Sequence, residues 1–500
     1  MNSKNALMIQ GTGSGVGKSI ITAALCRHFY NKGHKVAPFK AQNMANNAFV
    51  TKDGGEIGRA QAFQAEASGV EPHVSMNPIL LKPCTDDSSQ VIIMGKVKTT
   101  SNAKDYYDQF DEHLSYVTDA FNELHKQYDF IIMEGAGSPA EINLKDFDLV
   151  NMKAAEIANA PVLLVGDIDR GGVFAWLKGT LDLLTQKERD RVKGVIINKF
   201  RGDIDILLPG LKQFEELTGK PVLGVIPFIK NLTVDEEDSI PAWQYPATTQ
   251  NIQPLDAAVI WYPRIANCTD MSPLAHDPAI SMRYVSYPSQ LGNPDMIILP
   301  GTKNTLADLV NLKDRGLDKS ILELHKQGTV LLGICGGFQM LGKALYDPDH
   351  IEGSISHEEG LNLFDKETIW QKEKITRQVE SHTISGPLFK PGVKVEGYEI
   401  HMGLTRFKNG FVPMFEGEEG GYPLGITNKE GTVIGTYLHG FLDSDVFRNH
   451  LLNHVRQKRN LPHPEKLFDY TFFRKQQLDQ LEQQICSALD MNQIETFFNN

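Results

Sequence analysis

Two stretches of this chain carry residue types at spacings that can do chemistry. The first is Gly11-Thr12-Gly13-Ser14-Gly15-Val16-Gly17-Lys18-Ser19. It follows an apolar run, Ala6 to Ile9, and precedes apolar residues at helical spacing, Ile20, Ile21, Ala24, Leu25 and Phe29. A strand, a glycine-rich turn and a helix make a phosphate cradle. Backbone N–H groups and the helix N-terminus face the anion, Lys18 adds positive charge, and Ser19 can hold Mg²⁺. The common G-x-x-x-x-G-K-[ST] spacing would place glycine where Thr12 stands; here the glycine comes one residue earlier, at Gly11. The dinucleotide fingerprint fits worse, because it has no place for Gly17-Lys18-Ser19. The stretch reads as a nucleoside triphosphate site.

The second stretch runs from Thr329 through Ile334-Cys335-Gly336-Gly337-Phe338-Gln339 to Gly342. An apolar strand turns sharply at Cys335 and enters a helix, the construction of a nucleophile elbow. Such a turn exposes the side chain and aims the following N–H groups at its target. A cysteine nucleophile needs a base. His439 ends the apolar run Val433 to Leu438 and is followed by Gly440, which suits a site residue; His401 reads as a structural or substrate-side histidine.

The elements between these stretches supply further candidates. Lys40 ends the short strand Lys35 to Phe39, next along the chain after the phosphate loop and its helix. Glu134 ends the buried strand Tyr128 to Met133, where an acid beside a phosphate loop is a usual Mg²⁺ ligand. Asn198 ends the strand Val192 to Ile197, where its amide can read a base edge. Strands alternating with helices continue to Ile226, then resume from Asp256 after a charge run (Asp235 to Asp238) and a segment rich in Pro, Thr and Gln. This alternation predicts two parallel, doubly wound α/β units with a boundary between 230 and 255. The tail, with Leu478, Leu481, Ile485 and Leu489, predicts a packing helix.

Composition limits the partners. The chain has 500 residues, 41% hydrophobic and 22% charged, and a formal net charge of −12. That balance fits a globular protein and argues against a general nucleic-acid or membrane-surface binder. No apolar run approaches a membrane span, and the first strand begins too early to leave room for a signal peptide. The five cysteines form no Cys-x-x-Cys pair, so a reducing cytoplasm without structural zinc is expected.

Several segments then carry a resemblance. Phe39 to Met44, Met76-Asn77-Pro78, Glu134 to Leu144, Asp167 to Gly172 and Asn198 to Asp203 are similar to segments particular to the cobyric acid synthase family. The match runs nearly end to end. The phosphate loop resembles that of dethiobiotin synthetase and related amidoligases, which accounts for the offset glycine. Leu299 to Thr305, the Cys335 turn and Tyr437-Leu438-His439-Gly440 resemble a class I glutamine amidotransferase.

The resemblance implies a P-loop NTPase-like amidoligase domain over residues 1–235 and a linker over 236–254. An amidotransferase-like domain over 255–445 and a helical extension over 446–500 would follow. It implies that Cys335 attacks the side-chain amide of glutamine while His439 hands a proton to the departing ammonia. Gly301, Gly336 and Gln339 would serve the oxyanion and the glutamine. Gly11 to Ser19 and Asn198 would hold ATP, Ser19 and Glu134 the Mg²⁺, and Lys40 would act at the phosphoryl transfer. The acceptor implied is a corrinoid polycarboxylate, adenosylcobyrinic acid a,c-diamide, amidated at its b, d, e and g carboxylates. The a,c-diamide synthase acting earlier on the same ring is the neighbouring alternative. A nucleotide-driven switch protein with an inert second domain is the alternative of another class. In one respect the chain departs from many class I amidotransferases: Phe441 stands where His-x-Glu would place a triad acid. A Cys335–His439 dyad is expected, with the group that orients the imidazole left open between another carboxylate and a carbonyl. Oligomeric state is not legible.

Overall fold

The structure, a computed structural model, describes residues 5–84, 88–229, 255–416 and 422–498. The linker expected over 236–254 lies outside them. Residues 5–229 build a six-stranded parallel sheet in the order Val222–Pro227, Val192–Phe200, Val162–Asp167, Ala6–Gly11, Phe130–Glu134, Val36–Phe39. Ala6–Gly11 is buried along its whole length, as a strand covered by helices on both faces must be. The phosphate loop leaves its C-terminal end, between the ends of Phe130–Glu134 and Val162–Asp167, where ligands of open α/β sheets bind.

The second unit is also doubly wound. Five parallel strands run in the order Ile280–Val285, Leu255–Ile260, Met296–Leu299, Val330–Ile334, Val433–Thr436, and Gly425–Thr427 with Val412–Pro413 add an antiparallel edge. Both parallel sheets agree with the alternation in the sequence.

Two features were not legible. A smaller sheet of Gln42–Met44, Ile79–Pro83, Ser88–Ile93 and Lys96–Asn102 is inserted in the first unit. In the second, the long antiparallel pair Lys366–His382 and Lys394–Phe407 reaches across to the first: Tyr398 Oη donates to the Ala48 carbonyl at 3.0 Å. The tail helix Tyr470–Cys486 packs as its spacing predicts, but onto the first unit. Leu478, Leu481 and Ile485 share a core with Ile21, Leu25 and Phe29 of the helix Lys18–Asn31. Each such buried side chain contributes about 1.5–3 kcal/mol. Arg27–Asp479 at 2.7 Å fixes the edge of that contact. No helix among the described residues is long and apolar enough to cross a membrane.

Candidate active sites

The offset glycine of the phosphate loop has a steric reason. A Cβ on Gly11 would lie 2.5 Å from Val16 Cγ2 and 3.2 Å from Lys18 Cδ, so the loop folds back directly over this position. Gly17 enters the helix at φ 100°, a left-handed conformation that suits glycine. Lys18 Nζ donates to the carbonyls of Gly13 (2.9 Å) and Gly137 (3.2 Å), which keeps it over the loop.

Beside it lies a buried centre around Glu134. Ser19 Oγ donates to Glu134 Oε1 at 2.8 Å, Lys40 Nζ to the same oxygen at 3.1 Å, and Gln64 Nε2 to Oε2. Burial opposes ionisation of Glu134, but Lys40, Gln64, Ser19 and Lys18 outweigh it and hold the carboxyl below its usual range. Lys40 is 1% exposed, so it belongs to this centre and not to the surface. Hard oxygen donors beside a cationic loop fit a divalent ion with a triphosphate. Asn198 is also buried here, with both ends of its amide engaged. Nδ2 donates to the Val16 carbonyl at 2.8 Å, and Oδ1 accepts from Lys199 N–H at 2.8 Å. Asn198 supports the phosphate loop, and each end of its amide keeps a second hydrogen-bonding position.

In the second unit Cys335 sits at φ 50°, ψ −106°, outside the ordinary regions for an L-residue. This is the strained turn expected of an elbow. The side chain is only 8% exposed and faces His439 across the Gly301 turn. A Cβ on Gly301 would come 3.2 Å from His439 Cε1 and 3.8 Å from Cys335 Cβ, which explains the glycine. Gly336 N–H has no acceptor among the described residues. Thr302 N lies 3.1 Å from where a Gly336 Cβ would stand, so the Gly301 turn brings a second N–H alongside. Asp308 steadies that turn by accepting from Thr302 Oγ1.

The orienting group left open in the sequence is Asp270. Its Oδ2 accepts from His439 Nδ1 at 2.6 Å, and its Oδ1 accepts from Gly440 N–H at 2.9 Å. The expected pair is therefore a trio, with the acid arriving before Cys335 in the chain. Burial works against the imidazolium, but the charge and hydrogen bond of Asp270, with Cys335 adding to them, lift His439 to about 10. His439 Nε2 is left without a hydrogen-bond partner, on the side of Cys335. Tyr398 pins the imidazole's backbone through paired hydrogen bonds of 3.0 and 2.9 Å and stacks on its ring at 5.4 Å.

Around the thiol, Gln339 accepts from Thr305 Oγ1 at 3.3 Å and lines the same cavity as Thr302, Lys303 and Glu352. Burial, partly offset by Lys303 and Thr305 N–H, raises Glu352 to about 7. His401 is packed on Tyr437 at 3.9 Å between centroids, its Nδ1 3.0 Å from the Gly403 carbonyl. It is a wall of the cavity and is not aligned with Asp270.

A phosphate cradle with a buried lysine–carboxylate centre and a Cys–His–Asp elbow, each on its own doubly wound sheet, define a glutamine-dependent amide ligase. Comparison with known proteins agrees. Residues 7–241 match the family described as the CobQ/CobB/MinD/ParA nucleotide binding domain, and residues 256–447 the CobB/CobQ-like glutamine amidotransferase domain. The chain is 48% identical to the cobyric acid synthase of Dehalococcoides mccartyi (strain CBDB1) over 99% of its own length and 98% of the relative's. It is 46% identical to that of Photorhabdus laumondii subsp. laumondii, over 98% and 97%. It is likewise 46% identical to that of Clostridium botulinum (strain Okra / Type B1), over 98% of each. The chain belongs to the cobyric acid synthase family, glutamine-dependent carbon–nitrogen ligases of cobalamin biosynthesis.

Proposed function

We propose that the chain amidates the b, d, e and g carboxylates of adenosylcobyrinic acid a,c-diamide, giving adenosylcobyric acid, in the cytoplasm. The observation that carries this is the Cys335–His439–Asp270 trio in one polypeptide with the Lys40–Glu134–Ser19 centre. At the first unit the acceptor carboxylate and the γ-phosphate of ATP must meet although both are anions. Lys18 and Lys40 neutralise that charge, and the loop N–H groups hold the phosphates in line for transfer to the carboxylate. Ser19 and Glu134 would hold Mg²⁺, which supplies further charge neutralisation when bound. The product is an acyl phosphate, whose carbon accepts ammonia and whose phosphate leaves.

At the second unit Cys335 Sγ attacks the glutamine amide carbon. Gly336 and Thr302 N–H take up the developing oxyanion, each donor worth about 3 kcal/mol. His439, protonated and fixed by Asp270, gives its proton to the departing nitrogen. Water then opens the thioester and releases glutamate. Lys303 lines the cavity as a cation suited to the carboxylate of the amino acid, Glu352 lines it as a carboxyl raised to about 7 by burial, and Gln339 adds a polar contact.

Mass spectrometry of the corrinoid after incubation with ATP and glutamine tests the reading. Each hydroxyl exchanged for an amino group lowers the mass by about one unit, and four such losses are expected. Activity confined to the ring that lacks the a and c amides would assign the chain to the earlier synthase instead. No amide product from either acceptor would leave a switch protein.

Asp270 carries its own prediction. Asp270→Asn should lower glutamine-dependent turnover by roughly 10²–10⁴-fold while ammonium-dependent turnover persists. His439 is raised from 6.5 to about 10. The stability gained from its pairing with Asp270 is full below the lower value and fades as pH rises through the higher. The alkaline limb of glutaminase activity should therefore lie near pH 10 in the wild type and move to lower pH in the variant. A limb that stays in place would separate the imidazolium from catalysis.

A further inference from the structure

The trio around His439 is not held by the second unit alone. One short segment of the first unit, Asn47 to Phe49, reaches both pieces of chain that hold the imidazole. The first piece is Asn267 to Asp270. Ala48 N–H donates to Asn267 Oδ1 at 3.0 Å, and Cys268 N–H donates to Asn47 Oδ1 at 3.2 Å, so each asparagine accepts from the other's segment. Asn267 sits at φ 54°, in the left-handed region that asparagine enters more readily than most residues. From that turn its carbonyl accepts from Asp270 N–H at 3.0 Å. The first unit therefore grips the turn that delivers the acid of the trio.

The second piece is Tyr398. Its Oη donates to the Ala48 carbonyl, and its ring meets both Phe49, at 5.3 Å between centroids, and His439, at 5.4 Å. Ala48 thus donates to the Asp270 turn and accepts from the residue stacked on the imidazole. The segment is in turn fixed to its own unit. The Asn47 carbonyl accepts from Arg59 N–H at 3.1 Å, and Ala48–Val50 pairs antiparallel with Glu56–Gly58. Asn47 is 2% exposed, Asn267 4% and Asp270 3%, so a bond lost here is not made good by bulk water.

We propose that Asn47 is a positioning residue for glutamine hydrolysis: by fixing the Asn267–Asp270 turn from across the unit boundary, it holds Asp270 in line with His439 Nδ1. The proposal rests on the glutaminase reading of Cys335. The carboxylate's own bonds go to His439 Nδ1 and Gly440 N–H, both on the segment it must orient. Its placement is therefore set by the backbone behind it, and Asn47 binds that backbone at Cys268. A charge-assisted bond of 2.6 Å weakens steeply when its partners are misplaced.

The test measures glutamate release by the full chain in Asn47→Ala, Asp270→Asn and the double variant. Asn47→Ala removes the acceptor for Cys268 N–H and leaves the three side chains of the trio in place. Its kcat for glutamate release should fall roughly 10–10²-fold, with the KM for glutamine within about twofold of the wild type. In the Asp270→Asn background the same change should cost less than about twofold, because the carboxylate it positions is already replaced by an amide. Amidation from saturating ammonium alone reports that the phosphate unit is folded. Should Asn47→Ala fail to accumulate, Asn267→Gly keeps the left-handed turn, removes the acceptor for Ala48 N–H, and is read by the same cycle. Equal losses in both backgrounds, an unchanged kcat, or a loss confined to KM overturns the proposal. A wild type that releases no glutamate from glutamine would instead overturn the glutaminase reading beneath it.

Discussion

Cys335→Ser is expected to abolish glutamine-dependent amidation, by roughly 10⁴-fold or more, and to leave ammonium-dependent amidation within about twofold of the wild type. The serine is nearly isosteric and inherits the same strained turn, so the fold should not register it. The chemistry should. A serine hydroxyl becomes a nucleophile only if a neutral imidazole takes its proton, and the charge and hydrogen bond of Asp270 hold His439 above the ordinary imidazole range. The trio is built to supply a proton to a leaving amine, and in serine it would face a group that needs to lose one. The measurement is amide formed with each nitrogen source at equal acceptor and ATP. Retention of glutamine-dependent activity would move the nucleophile away from Cys335; failure with both sources would mean that the two units do not act separately.

What the sequence made legible follows the range of the interactions involved. Gly11 to Ser19 and Ile334 to Gln339 are local: strand, turn and helix lie within one stretch, and turn chemistry can be read from it. Lys40 and Glu134 could be placed because strand ends of a parallel sheet share one edge. Asp270 could not. It reaches His439 because Leu255–Ile260 and Val433–Thr436 belong to one sheet, and only topology joins the short helical turn Cys268–Met271 to the histidine. Thr269 and Asp270 are buried with the rest of that turn, and their burial is a property of the fold that no local pattern announces. Asn198 shows the same limit. A strand-end amide can serve a base, a neighbouring loop or both, and its 2.8 Å bond to the Val16 carbonyl is set by the fold, not by the local sequence. The tail helix showed its apolar stripe but not its partner, since a stripe states that a face is buried without saying against what.

Lys18→Met should do the opposite of Cys335→Ser. The methionine keeps an apolar stem in a site where Lys18 is 6% exposed; the ammonium it removes donates to the carbonyls of Gly13 and Gly137 and helps keep Glu134 ionised, but Lys40 stays 3.1 Å from that carboxylate, so Glu134 keeps a partner. Removing the charge takes a cation from the point where triphosphate and carboxylate meet, a change of the kind that costs ~10³-fold or more in phosphoryl transfer. Amidation should fall with glutamine and with ammonium alike, while glutamate release from glutamine continues at Cys335. Lys40→Met would be less decisive. It strips Glu134 of its buried 3.1 Å partner, and breaking such a pair costs about 3–5 kcal/mol, so unfolding and impaired catalysis would be confounded. A mixture of Lys18→Met and Cys335→Ser then sets the two half-reactions on separate molecules. Ammonia made by the first must cross water, where most of it becomes ammonium, before it can serve the second. Glutamine-dependent amidation by the mixture should therefore stay well below that of the wild type at the same concentration of working sites. Full recovery would show that the nitrogen travels through solvent, and that the covalent fusion of the two units serves something other than its transfer.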